Sequence, residues 1–474
     1  MRSLLTLLLL TFIGLPQAAA QGADVWILGG HLIDGIRDEA VLNPGILVRA
    51  GQFHGFGRNG DFTHLNADPS APGATVVRLA DDQYILPGLF DLHAHHAIDL
   101  FGEGRIDDTG SYPAIFLANG VTSVFPGGEM QPENMRALRL RIERGEQAGP
   151  RLYNSGPYFG AWRPGWDPNT TRAQLFAEVD EWTTLGVRSF KAKGIAPIHL
   201  QALIERAHQH GATVTGHLDS GFRNSVNPRD AIAMGIDRVE HFLGGDAFDA
   251  DRPAYASLVE FDPASPEFAS IARQYIQHRV FFDATLTAYG YYGERDPDVY
   301  TYWRDERTFF TPYVQRLIDQ RGPRPINEQF ERIYWVKRRT VKAFYDAGGG
   351  DLITLGTDHP SWGEFVSGFA AHRELHAMVL AGIPPIDAIR IGTINGARAL
   401  NVSAYLGTIE AGKFADLFVV NGNPLEDIRN TRNVAIAMKA GQVHDATQLL
   451  DRVVGTIGPR NAAEEAAWKP AARR

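Results

Sequence analysis

The sequence predicts an α/β fold, a (β/α)8 TIM-type barrel carrying a small β-sandwich built from both chain ends. Three observations predict it. Apolar, strand-like runs alternate with helix-like segments from about Ile85 to Leu400, as repeated βα units do. Potential metal ligands close several of these runs. The stretches on either side are short, β-like and broken by glycine and polar turns, too small to bury a sheet face alone.

The first twenty residues stand apart. Arg2 precedes an apolar stretch from Leu4 to Leu15 and then Gln17-Ala18-Ala19-Ala20, the pattern of a secretory signal peptide cleaved after Ala20. The apolar run is short for a bilayer span. Secretion or release into a periplasm is expected, with no stable membrane insertion once the signal is cut. The N-terminal part of the sandwich is expected over 21–83, from Val25–Leu32, Gly45–Phe56 and Ala74–Leu79. Its C-terminal part is expected over 404–446, from Gly407–Lys413, Ala415–Asn421 and Ala435–His444. The Ala-rich end, within 447–474, reads as a loosely ordered tail.

The barrel is expected over 84–403. Its strand candidates are Leu89–His95, Thr122–Phe125, Arg151–Ser155, Arg188–Lys191, Thr213–His217, Arg238–His241, Val280–Thr285 and Leu352–Asp358. Helices are expected at Glu133–Arg144, Ala173–Leu185, His199–His210, Pro266–His278 and Asn327–Asp346. Thr171 and Asn227-Pro228 are N-terminal cap signals; Gly186, Gly211 and Gly348 are C-terminal stops. In a barrel the strand C-termini form the active face, where every ligand candidate falls. A doubly wound open sheet would have no reason to gather ligands from the first, fourth, fifth, sixth and eighth strands.

Composition narrows the partners. With 474 residues and 44% hydrophobic content the chain can form a large domain and a smaller one. A net charge of −9 argues against nucleic acid. No cysteine is present, so neither disulfides nor a thiol nucleophile are available. A small molecule or peptide is the expected partner, and the sequence leaves a homo-oligomer open.

The chemistry lies in His93, His95, Lys191, His217, His241 and Asp358. On an alternating strand His93 and His95 would share a face and one ion. Imidazoles with a carboxylate suit zinc or a similar ion. Lys191 fits if burial beside positive charge deprotonates it and CO2 converts it to a carbamate that bridges two metals. Lys193 shares its face, but Lys191 directly follows apolar Phe190, whereas Gly194 suggests that the strand is ending at Lys193.

These motifs resemble the amidohydrolase superfamily, in its prolidase- and imidazolonepropionase-like branch. The resemblance rests on Leu86-Pro87-Gly88-Leu89-Phe90-Asp91-Leu92-His93-Ala94-His95, Gly186–Lys191, His217, Gly235–His241, Gly356-Thr357-Asp358, Thr393–Leu400 and Leu406–Leu417. It implies that His93, His95 and Asp358 hold one divalent metal, His217 and His241 a second, and carboxylated Lys191 bridges both. It further implies hydrolysis of an amide bond, in a dipeptide or N-acyl amino acid, by a hydroxide shared between two zinc-like ions. Asp358 would take the proton and pass it to the leaving amine. Cyclic amide or imidazolone, lactone and phosphotriester hydrolysis are alternatives on the same scaffold, and a non-catalytic metal-binding barrel is the alternative outside catalysis.

Departures from the pattern are informative. His96 points away from the pair by period two, and His359 follows Asp358 where a small hydroxyl residue is more usual. His372 and His376 lack the Glu of a His-Glu-x-x-His motif and read as a solvated or core face. Substrate contacts are expected from βα loops. The candidates are Tyr158, Trp162, Arg163 and His359, with Arg163 or Arg223 able to clamp a carboxylate. Tyr289, Tyr291, Tyr292, Trp303, Phe309 and Phe310 are mostly expected to pack an insertion against the barrel.

Overall fold

The computed structural model describes residues 24–58, 61–98, 106–218, 225–241, 254–292, 296–300, 305–321, 325–359 and 365–472. The proposed signal peptide, Arg223 and Trp303 lie outside these residues, as does the side chain of Tyr292. No helix among the described residues is long and apolar enough to cross a membrane.

Among the described residues, eight short strands carry the central α/β unit, and every ladder between them is parallel. Leu89–Asp91, Val121–Val124 and Arg151–Leu152 form one three-stranded sheet. Ser189–Lys193, Thr213–His217, Arg238–Glu240, Phe281–Asp283 and Ile353–Thr354 pair consecutively in a second. Backbone bonds also join the two sheets. Leu92 N–H donates to Leu355 O at 2.9 Å and Asp358 N–H to His93 O at 2.8 Å. Phe159, beyond the third strand, exchanges bonds of 2.9 and 3.0 Å with Lys191 and Lys193 on the fourth. The arrangement is a mixed α/β fold consistent with a TIM-type barrel.

The helices form where amphipathic spacing and local capping agree. Arg172–Thr184 begins with a reciprocal capping box between Thr171 and Gln174. Asn227 caps Pro228–Met234, Ser265 caps Pro266–His278 and Asn327 caps Glu328–Phe344. Leu175, Ile271 and Val341 on these outer helices share one buried apolar cluster with Val214, Val239 and Phe282 of the strands. Gly186 follows the first of these helices with a φ of 98°, a left-handed value that a side chain would resist.

The two chain ends meet in one sheet. Its order is Gln442–Asp445, Val434–Lys439, Leu417–Asn421, Gln83–Pro87, His31–Leu32 and Val41–Leu42. A four-stranded sheet of Gln52–Arg58, Pro44–Arg49, Val25–Leu28 and Thr75–Arg78 shares an apolar cluster with it, including Ile27, Ile46, Phe53, Ile85 and Leu417. Gly407–Lys413 is a turn region rather than a strand, bonded to Asp34 and Phe53.

The expected loose tail is instead ordered. Ala446–Asp451 and Ala462–Ala472 are helices. Trp468 packs against the main core, the Tyr313 hydroxyl donates to Glu465, and Lys469 pairs with Glu465 one turn away at 2.8 Å. Alanine favours the helix intrinsically, and these anchors supply the tertiary contacts that a short helix needs.

Candidate metal centre

The first strand ends at Asp91, two residues before His93. The Asp91 carboxylate accepts the backbone N–H groups of His93 and Thr357, both at 3.1 Å, and the Thr357 hydroxyl at 2.8 Å. Those bonds take the chain out of the ladder. His93 and His95 therefore sit in the following turn and not on a strand, yet their rings remain 5.2 Å apart. Burial pushes the Asp91 carboxyl up to about 7.

Imidazoles converge on Asp358. His95 Nε2 lies 2.9 Å and His93 Nε2 3.3 Å from its Oδ1, and His241 Nε2 lies 3.7 Å from its Oδ2. The His241 ring is 4.8 Å from that of His93 and 4.4 Å from that of His217. Lys191 Nζ contacts Glu240 Oε2, an oxygen 3.6 Å from His93 Nδ1. All six expected ligands thus gather at one place. Five are buried; the Asp358 side chain keeps 19% exposure, which makes it the member that solvent can reach.

The surroundings orient the rings. His93 Nδ1 meets Asp283 at 3.2 Å and His241 Nδ1 meets the Thr285 hydroxyl at 2.7 Å, leaving each Nε2 turned toward Asp358. Buried Lys337 donates to the His241 carbonyl and lies 4.0 Å over the Tyr289 ring. His241, Thr285 and Asp358 have φ of 68°, 52° and 44°. Left-handed backbone at three non-glycine residues costs roughly 1–3 kcal/mol each, so the surrounding packing holds the cluster in shape.

Electrostatics set the protonation states. Burial pushes His93, His217 and His241 well down, so their imidazoles are neutral. Burial, with Lys193 beside it, pushes Lys191 well down too. Burial alone would raise Asp358, but His93, His95 and His241 hold it well below the usual carboxylate range. Neutral imidazoles and an ionised carboxylate are the forms that bind metal, and burial favours the neutral Lys191 amine that reacts with CO2. Two trios, His93–His95–Asp358 and His93–Glu240–His241, bring ligand atoms within 4.8 Å of one another. This donor set fits a divalent ion.

Sequence reasoning missed Glu240, Asp283 and Asp91. Period two from Arg238 could have marked Glu240 as facing inward. Lys193, the rival to Lys191, is in register with His217 and lies 4.0 Å from the Trp162 ring centre.

The other candidates divide. A Cβ on Gly127 (φ 63°) would lie 2.2 Å from His93 Cδ2, and one on Gly128 would lie 2.1 Å from Cζ of Tyr158. The two glycines let the loop after the second strand close on His93 and on buried Tyr158. His359 is buried, its ring 5.3 Å from that of Tyr291. Arg163 does not serve as a free carboxylate clamp. Its guanidinium pairs with Glu178, presented by the helix Arg172–Thr184, and lies 5.0 Å from the Trp166 ring centre. His96 is buried 4.8 Å from Phe116, and burial pushes it down to about 3. His372 and His376 are buried, His372 beside Thr431 at 3.1 Å, so theirs is a core face. Tyr289, Tyr291, Phe309 and Phe310 are buried as packing.

Comparisons with known proteins identify the family and the fold. The profile of the amidohydrolase family matches residues 84–444. No curated protein matches significantly. Among solved structures, the chain is similar to a Xaa-Pro dipeptidase with bound methionine in the active site, at 19% identity and a TM-score of 0.66, over 89% of this chain and 100% of that one. It is similar to molinate hydrolase at 19% identity and a TM-score of 0.65, over 94% and 99%. Phenylurea hydrolase B gives 19% identity and a TM-score of 0.65, over 92% and 100%. The chain belongs to the amidohydrolase family.

Proposed function

We propose that this chain is a secreted, binuclear metal-dependent enzyme that cleaves an amide bond in a dipeptide or an N-acyl amino acid. Its eight parallel strands close into a (β/α)8 barrel, and the flanking sheets form a β-sandwich beside it. Membership of the amidohydrolase family makes it a hydrolase of carbon–nitrogen bonds. The observation that carries the finer reading is the convergence of three imidazole Nε2 atoms on the Asp358 carboxylate, with His217 and a buried Lys191, whose charged form burial disfavours, alongside.

His93, His95 and Asp358 would hold one ion, His217 and His241 the other, with a carbamate on Lys191 joining them and zinc as the metal. Bound ions of this kind supply polarisation of the scissile carbonyl and acidification of water. The residues do the rest. Asp283 and Thr285 keep the His93 and His241 rings in one tautomer. Asp358, ionised and reachable from solvent, takes a proton from water and delivers it to the leaving nitrogen. A dipeptide draws support from the structural likeness to a Xaa-Pro dipeptidase; secretion draws it from Arg2, Leu4–Leu15 and Ala18–Ala20.

A screen of zinc-loaded protein against dipeptides, N-acyl amino acids and lactones tests the reading, with metal content measured in parallel. Amide turnover, two ions per chain, and loss of turnover in Asp358→Asn are the expected results. A protein that retains no metal after reconstitution, or that hydrolyses only lactones, would refute it.

A further inference from the structure

Glu129 is a buried carboxyl beside this cluster that the chemistry above does not use. It follows Gly128, which packs on Tyr158, and lies two residues after Gly127, which packs on His93. Its side chain is 3% exposed. Oε1 accepts the Asn154 amide at 2.5 Å and the Ser155 N–H at 3.3 Å. Among the described residues, Oε2 has no hydrogen-bond partner, and neither has Asn154 Oδ1. Both residues lie just beyond the C-terminal ends of the second and third strands, on the side of the fold that carries the metal ligands.

Buried polar atoms are nearly always bonded, so two bare acceptors on adjoining residues call for a donor. An ammonium offers three N–H groups and the positive charge that a buried carboxylate lacks. We propose that Glu129 and Asn154 form a subsite for a protonated amine of the substrate, so that the enzyme takes peptides with a free N-terminus in preference to N-acylated amino acids. This rests on the reading of the site as an amide hydrolase and narrows its substrate class. Without a ligand, burial pushes the Glu129 carboxyl well up, with Asp107 adding to the effect and Arg139 opposing it. Burial thus favours the neutral form of the carboxyl, and the proton of that form leaves to solvent as the ammonium binds and N–H···O bonds form. A carboxyl serving only as a strut between two loops would keep its bonds to Asn154 and Ser155 but would not sort ligands by charge.

The test is calorimetric titration of the zinc-loaded, full-length protein with L-leucinamide and N-acetyl-L-leucinamide, in two buffers of different ionisation enthalpy. Wild type is expected to prefer the free amine and to release a proton on binding it. Glu129→Gln, checked for folding by thermal melting, should weaken leucinamide roughly 10- to 100-fold, leave the acetylated probe unchanged and abolish the proton release. Asn154→Ser provides a second variant with the same expected direction. Equal wild-type affinity for both probes, no binding of either, or an equal loss for both in the variants would overturn the subsite. Amine preference in the titration without hydrolysis of any dipeptide would instead overturn the dipeptide reading of the activity and leave the subsite standing.

Discussion

Gly127→Ala tests how tightly the loop after the second strand constrains the metal ligands. The new Cβ would lie 2.2 Å from His93 Cδ2, whereas carbon atoms in contact sit about 3.5–4.0 Å apart. The ring must retreat by roughly 1.3–1.8 Å, or the loop must lift by the same amount. Alanine at the φ of 63° adds about 1–2 kcal/mol of backbone cost. Gly145→Ala is the control, because Gly145 has a φ of 71° with nothing within 4 Å of its Cβ position. It should incur the backbone cost alone. A displacement of this size at a catalytic group costs on the order of a hundredfold in rate, and misaligned ligands lose about 10- to 100-fold in metal affinity. Thermal melting, metal titration and kcat on both variants separate the two effects. If Gly127→Ala matched Gly145→Ala in metal affinity and kcat, the claim that the loop fixes His93 would be wrong.

Asp283→Asn should leave the fold intact but lower metal affinity by about 10- to 100-fold, because the His93 ring loses its ionised Nδ1 partner; competition with a coloured chelator measures this. Stripping metal should lower the melting temperature, since metal at a hundred times its Kd stabilises by about 2.7 kcal/mol; no change on chelation would count against a bound ion. Glu374 accepts the backbone N–H groups of Leu286 and Thr287, and burial pushes its carboxyl from 4.5 up to about 7. The folded chain therefore holds a proton that the unfolded chain has lost. Its stabilising contribution is complete below about pH 4.5 and declines as pH rises to about 7, over a range on the order of 3 kcal/mol. Wild-type stability relative to Glu374→Gln should fall over that interval in denaturant titrations, and a rise would contradict the sign.

Much of the α/β unit was legible because buried parallel strands read as apolar runs with polar ends. Thr213–His217 was placed at its observed bounds, and Pro266–His278 likewise, since Ser265 and Pro266 mark a start by local chemistry alone. The turn holding His93 and His95 was not legible, because it depends on Asp91 reaching Thr357, a residue 266 positions away. Arg163 misled for the same kind of reason: Glu178 meets it only after the loop folds back on its helix. Glu240 and Asp283 were overlooked because inward-facing carboxylates resemble ordinary strand ends until the histidines they face are in view. The final helix was misjudged from composition, which carries no information about Tyr313 as an anchor.

The far end of the polypeptide is a brace. Gly455 and Ile457 donate to the carbonyls of Thr308 and Phe309 at 2.9 Å, and Thr311 returns a bond to Ile457 at 3.0 Å. The insertion that follows the seventh strand is thereby pinned from behind by residues more than a hundred positions later. Truncation near Val454 would remove these bonds and release the insertion from that support.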